Sequence, residues 1–445
     1  MPRSICIHPD HQSAVALALK RQGFLTQGDL AAHLEIALST VSNFFRGLNV
    51  SISKFEQICE ALELDKKAIV LPQNSSSLQP ETTFPFFAYN DGWVGRESLI
   101  TELAAQLKGT HRVLLIAGIA GIGKTALAER LFLELQNTQL LRANFDNQDN
   151  PTDFASFAAS LLEECGYTIT PEERKNKQYL QQQLLQHFRN HDCVLIVDSL
   201  EEILEGNEID GWSEFKDVTF VNFFQALLTA ASLQSRVLIT SQELPAQLLT
   251  FGNRYPNFWH FQSLSGLSPL EQLALFERSG LETQPNSTER FYLERIGNAY
   301  EGHPLALRII AGEIGSSPFY GNIAAYWQRY GAEIEEVEQA IAAAQDGKIQ
   351  GAEDAWKLDR FTRALRRSVR SRLEKTFLRL KADVASAYVL LCEASIYRCS
   401  VPEDWWLSHL EYWNYNETEQ LTALDALRDR YLVEESIEDE QCLLR

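Results

Sequence analysis

The segment GIAGIGKT, Gly118 to Thr125, spells G-x-x-x-x-G-K-[ST]. These residue types at this spacing suit one task. Gly118, Gly121 and Gly123 let the backbone curl so that successive N–H groups converge on phosphate oxygens. Ile122 and Ala126 lend amides to the same cradle, and a helix beginning near Gly123 aims its positive dipole end at the anion. Lys124 is placed to reach β- and γ-phosphates, and the Thr125 hydroxyl is a candidate ligand for Mg²⁺.

A hydrated metal at such a loop also needs a carboxylate. Asp198 ends the apolar run CVLIVD, and the carboxyl end of a parallel strand faces the ligand crevice. Asp198 is therefore the second metal candidate and the first catalytic one. Orienting an attacking water takes a further acid, and the next residue is Ser199, which cannot serve. Glu201 or Glu202 remains. Glu201 is the chosen candidate base, although both residues equally suit the first turn of a helix, where carboxylates favour the macrodipole.

The elements that must position these groups follow from apolar patterning. RVLLIAG (112–118), CVLIVDS (193–199) and RVLITSQ (236–242) are continuous apolar runs separated by helical patterns. That alternation predicts a parallel sheet covered on both faces. The fold class expected is α/β plus all-α: a P-loop sheet domain followed by a helical subdomain and a winged-helix-like domain, and preceded by a small all-helical one. The expected boundaries are 1–71 for the helical module and 72–91 for a linker docked through Phe84, Phe86 and Phe87. The nucleotide-binding domain is expected at 92–262, the helical subdomain at 263–352 and the winged-helix-like domain at 353–445. Ser268, with Glu271 three residues on, and Pro402 are read as helix starts, and YLVEE (431–435) with QCLLR (441–445) as a late β pair.

Composition bounds the rest. The chain has 445 residues, 45% hydrophobic and 22% charged, with net charge −20. At about 100–200 residues per domain this allows two to four cores. An acidic balance excludes non-specific polyanion binding by the whole molecule, while leaving room for one local nucleic-acid module. No run of 18 apolar residues spans a membrane, and the start MPRSICIHPD lacks a signal-peptide pattern. Seven scattered cysteines without metal spacing fit a reducing cytosol, so a cytoplasmic location is expected.

The motif order VGRE (Val94–Glu97), GIAGIGKT, LIVDSLEE, SRVLITSQ, LSGLSPLEQLALF and EGHPLAL (Glu301–Leu307) resembles the NB-ARC branch of the STAND signalling ATPases over about residues 92–445. The resemblance implies that Val94 and Arg96 lie on the adenine and that Pro304, of the GxP motif, lies against the base or the ADP. It implies a switch: ADP closes the chain, and ATP opens it for homo-oligomeric assembly. Two departures stand out. The third strand of relatives ends in an arginine that reads the γ-phosphate, whereas here Gln242 holds that position. A neutral amide loses charge-assisted strength, so tight binding with slow or absent ATP turnover is expected. In addition, relatives continue with a histidine that touches the β-phosphate of ADP and a repeat sensor for the signal, and both would fall past Arg445.

Residues 24–64 resemble the helix-turn-helix of the Cro and phage-repressor class. Thr26 caps a helix expected from Gln27 to His33, a second helix starts at Ser39, and Gly47 ends it. The resemblance puts Ser39, Thr40, Ser42 and Asn43 on an exposed DNA-reading face with Arg46 near phosphate, and Val41 and Phe44 in the core. The seven basic and seven acidic residues of the whole 1–71 module leave it neutral, and phosphate neutralisation dominates DNA affinity. DNA binding as a transcriptional regulator is the first expectation; a protein-recruiting adaptor of a signalling or defence scaffold is the second. Finally, Arg360, Arg363, Arg366, Arg367, Arg370 and Arg372 recur at helical spacing, a pattern expected to form a solvated or salt-bridged face, with pairing to acids of another domain or protomer, or contact with nucleic acid, as the alternatives.

Overall fold

The computed structural model describes residues 4–8, 11–48, 50–70, 93–136, 139–146, 153–207, 212–346, 360–397, 400–438 and 441–444. The 72–91 linker and its three phenylalanines lie outside them. The chain divides into two compact units, one of residues 95–266 and 340–367, the other of residues 1–94, 267–339 and 368–445. The helices Ile323–Asp346 and Arg360–Asp383 each supply residues to both.

The first unit is built on five parallel strands in the order Trp259–Ser263, Val113–Ala117, Arg236–Ser241, Cys193–Asp198, Gln139–Asn144. The three runs read from sequence are the three interior strands. Val113–Ala117 and Cys193–Asp198 are buried at every position, as a sheet covered on both faces requires. The two strands that sequence patterning did not single out are the edges. QLLRAN and WHFQS carry polar residues at half-buried positions, so their apolar runs are too short to stand out. Helices Phe154–Glu164 and Val218–Thr229 press a phenylalanine cluster onto one face: Phe154 and Phe157 meet Phe220 and Phe223 with ring centroids 5.2 to 6.2 Å apart. Arg112 closes the far end of the second helix. Its buried guanidinium donates to the carbonyls of Leu227 (3.1 Å) and Ala230 (2.6 Å) and lies 4.0 Å from the Phe258 ring centre. The orphan carbonyls of that helix terminus are thereby satisfied.

The second unit is mainly helical. Helix Gln27–Leu34 starts at a capping box between Thr26 and Asp29, and helix Leu38–Arg46 ends at Gly47 in the left-handed region, φ 73°. Both boundaries lie within a residue of expectation. Ser268 opens helix Pro269–Arg278 with its own capping box, in which its N–H donates to Glu271 at 2.7 Å. Pro402 precedes helix Glu403–Tyr412. A late antiparallel pair is present as Glu435–Glu438 and Gln441–Leu444, its first strand starting only at Glu435, where the expected 431–435 run ends, and Val401–Pro402 is added on the other side of the second. Leu390, Leu410, Leu424 and Leu427 fill the core beside that sheet. Among the described residues no helix is long and apolar enough to cross a membrane.

Candidate phosphate-binding site

The buried strand Val113–Ala117 runs into the loop at Gly118, and helix Lys124–Leu135 leaves it. Gly123 is the N-cap residue at φ +97°, and Gly121 stands at +72°. Side chains rarely adopt that region. Gly118 serves differently: it needs space, because a Cβ there would meet Ile122 Cγ2 at 3.0 Å and the Leu264 carbonyl at 3.1 Å. The Gly118 N–H donates to the Ser241 carbonyl at 3.2 Å, tying the loop to the neighbouring strand end.

Lys124 is buried at the mouth of the loop, and its ammonium donates to the Gly118 and Ile119 carbonyls at 3.0 and 3.1 Å. Burial pushes the Lys124 pKa below the ordinary lysine range. Glu201 and Asp198 act against that shift, and the Arg366 charge adds to it. A buried cation whose hydrogen bonds go to neutral carbonyls gains strongly from an anion.

Thr125 and Asp198, expected as the metal pair, do meet. The Thr125 hydroxyl donates to Asp198 Oδ1 at 2.9 Å. Thr240 donates its hydroxyl to the same carboxylate oxygen and accepts the Ser199 N–H at 3.1 Å. Arg142 approaches Asp198 Oδ2 at 3.9 Å. One hydroxyl and one carboxylate are a hard oxygen donor set of the kind that holds a cation still largely hydrated, and so fit Mg²⁺. Among the described residues no cluster of three metal-ligating His, Cys, Asp or Glu competes with it.

Glu201, on the short 3-10 helix Leu200–Ile203, accepts the Gln242 N–H at 3.0 Å. Its carboxylate acts on Lys124 more strongly than that of Asp198 does. Glu202, the alternative acid, is exposed. Arg96 has a role that sequence did not suggest. Buried and in the left-handed region at φ 65°, it donates to the carbonyls of Ile122 and Ser265, both at 2.9 Å, and so ties the loop to the residues that follow the edge strand.

One unit thus holds Arg96, Gly118, Gly121, Ile122, Gly123, Lys124, Thr125, Ala126, Asp198, Glu201 and Gln242. Val94, half-buried, and Pro304 belong to the other. There Pro304 is the first residue of helix Pro304–Gly315, whose N-cap His303 accepts the Ala306 N–H at its Nδ1. Sequence reasoning missed Thr240 and Arg142 as neighbours of Asp198. Thr240 was legible as a hydroxyl at the end of the strand beside Asp198; Arg142 sits on an edge strand that gave no signal.

The polar face expected on helix Leu38–Arg46 is not exposed. Ser39 and Ser42 are buried, and Thr40, Asn43 and Arg46 are half-buried. The reason lies in their partners within the same unit. Ser39 and Thr40 donate their hydroxyls to Asp429 at 3.1 and 2.7 Å, and Arg46 donates to the Arg278 carbonyl at 3.2 Å. Gly280 comes so near that a Cβ on it would meet the Ser42 Cβ at 3.0 Å. Val41 and Phe44 are fully buried, as expected.

Residues 106–248 match the family described as AAA domain. An uncharacterised WD-repeat-containing protein of Nostoc sp. is 26% identical over 214 residues, which is 46% of this chain. The match covers only 16% of that relative's length. The crystal structure of Cdc6p from Pyrobaculum aerophilum aligns with 78% of this chain and 89% of its own at 14% identity, with a TM-score of 0.35. With strand, glycine loop, buried lysine and Thr–Asp pair in one unit, residues 106–248 form a nucleotide-binding, AAA-type P-loop NTPase domain.

Proposed function

We propose that this chain is a nucleotide-controlled switch of the STAND type, in which Mg²⁺ with ATP or ADP sets the state of the molecule and ATP favours a homo-oligomer. The observation that carries the reading is the Thr125–Asp198 hydrogen bond of 2.9 Å beside the buried Lys124. A hydroxyl–carboxylate pair suited to a hydrated cation and a lysine hydrogen-bonded to carbonyls meet at the same loop. When bound, Mg²⁺ supplies charge neutralisation of the β- and γ-phosphates. The chain's own residues hold and orient: Lys124 and the loop amides on phosphate, Thr125 and Asp198 on the metal, Glu201 on a water. Val94, Arg96 and Pro304 are proposed adenine-side contacts. A ligand shifts a conformational equilibrium only through its differential affinity for the two states, so ATP and ADP must differ in their contacts. Lys124→Ala should abolish binding of both nucleotides and any nucleotide-dependent change in mass by light scattering. A wild-type mass identical in ATP, in ADP and without nucleotide sinks the switch.

The amino-terminal module is proposed as the output. Binding DNA through Ser39, Thr40, Ser42, Asn43 and Arg46 requires that helix to leave Asp429 and Gly280, so the described form is one in which DNA reading is off. A second reading, recruitment of a protein effector, is favoured by the same burial and by the neutral charge of the module. A salt titration of DNA binding by the intact chain with ATP and with ADP separates them: no affinity at low salt in either state favours the adaptor.

A further inference from the structure

Four observations converge on Arg366. Gln242 follows Ser241, whose carbonyl accepts the Gly118 N–H, so the strand end borders the phosphate loop directly. Arg366 Nη2 donates to Gln242 Oε1 at 3.4 Å, a long contact to a neutral amide. The charge of Arg366 is felt at Lys124. Further along the arginine-rich helix Arg360–Asp383, Arg370 pairs with Glu374, and Arg372 and Arg379 with Glu313. Among the described residues no ion pair holds Arg366.

We infer that Arg366 is the γ-phosphate-binding cation of this site, supplied from a helix in place of the charge that Gln242 does not carry. This rests on the nucleotide reading above. A planar guanidinium suits a phosphate better than an amide oxygen, and a charge-assisted bond is roughly twice as strong as a neutral one. Exchange of the 3.4 Å amide contact for a phosphate oxygen is therefore favourable. Gln242 holds the guanidinium at the rim and Glu201 holds Gln242. ADP has no γ-phosphate and gains nothing from Arg366, so this residue distinguishes the two nucleotides.

The test is calorimetric titration of the full chain with MgATP and with MgADP. Arg366→Ala should weaken MgATP about 10- to 100-fold, the range of a hydrogen bond to a charged group, and leave MgADP within about twofold. Restoring a cation on the strand, in the Arg366→Ala/Gln242→Arg double variant, should recover most of the lost ATP preference; a purely structural role for Arg366 would give no recovery. Equal affinity for ATP in the variant and the wild type overturns the assignment, as does an equal loss for both nucleotides. Should Arg366→Ala not fold, Arg366→Lys carries the reading: a several-fold fall in ATP preference supports it, and a wild-type preference overturns it. A wild-type chain that binds neither nucleotide instead sinks the nucleotide reading itself, a different and recognisable result.

Discussion

Thr40 donates its hydroxyl to Asp429 at 2.7 Å, joining residues 389 positions apart in the chain. Ser39 donates to the same oxygen at 3.1 Å. Burial pushes the Asp429 carboxyl above its ordinary value of 3.8, while the two hydroxyls, Lys54 and Arg428 oppose the shift. A carboxyl whose pKa is raised on folding contributes stability that is present below 3.8 and is lost as pH rises through the raised value. Asp429→Asn, which cannot titrate, should abolish that pH dependence. Asp429→Ala leaves two hydroxyls without their acceptor and should lower the protection of helix Leu38–Arg46 by about 1–3 kcal/mol. Hydrogen exchange of that helix at several pH values checks both.

Glu313 is the centre of a second buried network. It accepts hydrogen bonds from Arg372, from Arg379 at 2.6 Å, from Thr376 at 2.6 Å and from Tyr326 at 3.2 Å. Burial works against its ionisation, but the Arg372 and Arg379 guanidiniums outweigh it and hold the carboxyl below the usual range. Glu313→Ala takes the hydrogen-bonded carboxylate from Arg372, which is 1% exposed and keeps the more distant Glu333 at 3.7 Å, and should cost about 3 kcal/mol, the low end for breaking a buried pair. The Glu313→Leu/Arg372→Met pair should cost clearly less than Glu313→Ala alone. Urea unfolding of the three proteins tests this, and equal losses would show that the pair is not coupled.

The glycine of the GxP motif is required on steric grounds. Gly302 stands at φ +67°, and a Cβ on it would meet the Leu267 carbonyl at 2.1 Å and the Leu267 nitrogen at 2.7 Å. Both clashes are with backbone, and Leu267 N–H donates to the Gly302 carbonyl at 2.8 Å. Gly302→Ala should destabilise the helical unit by at least about 2 kcal/mol, from overpacking and the left-handed conformation together. Thermal melting measures it, and an unchanged midpoint would refute the close approach.

Asp217 caps helix Val218–Thr229. Burial opposes its ionisation, yet Lys177, Thr219 and the Phe154 N–H outweigh that and hold its pKa at about 2. A depressed carboxyl contributes stability above 3.8 that is lost as pH falls through about 2. Because Lys177 is largely solvated, about 1 kcal/mol is the expected size. Asp217→Asn should therefore lower stability at pH 7 by that amount and make little difference near pH 2. Denaturant melts of both proteins across this range give the difference directly.

What could be read from residues alone was whatever short-range pattern controls. A glycine-lysine loop between an apolar run and a helix is a local signature, and so are Asp198 at a strand end, the Thr26 and Ser268 capping boxes and the stop at Gly47. Each depends on backbone geometry within a few positions, and the sequence states that geometry directly. The edge strands QLLRAN and WHFQS were not legible, because a half-covered edge needs few apolar residues. Nor were the partnerships of charge and hydroxyl. Nothing near Ser39 or Thr40 announces Asp429, nothing near Arg366 announces Gln242, and one arginine-rich stretch hides a fully buried Arg372 beside an exposed Arg370. Helical spacing sorts side chains onto faces, but only packing decides which face meets water, which meets a carboxylate and which meets another helix. Those outcomes are set by residues tens to hundreds of positions away, so tertiary structure alone decided them.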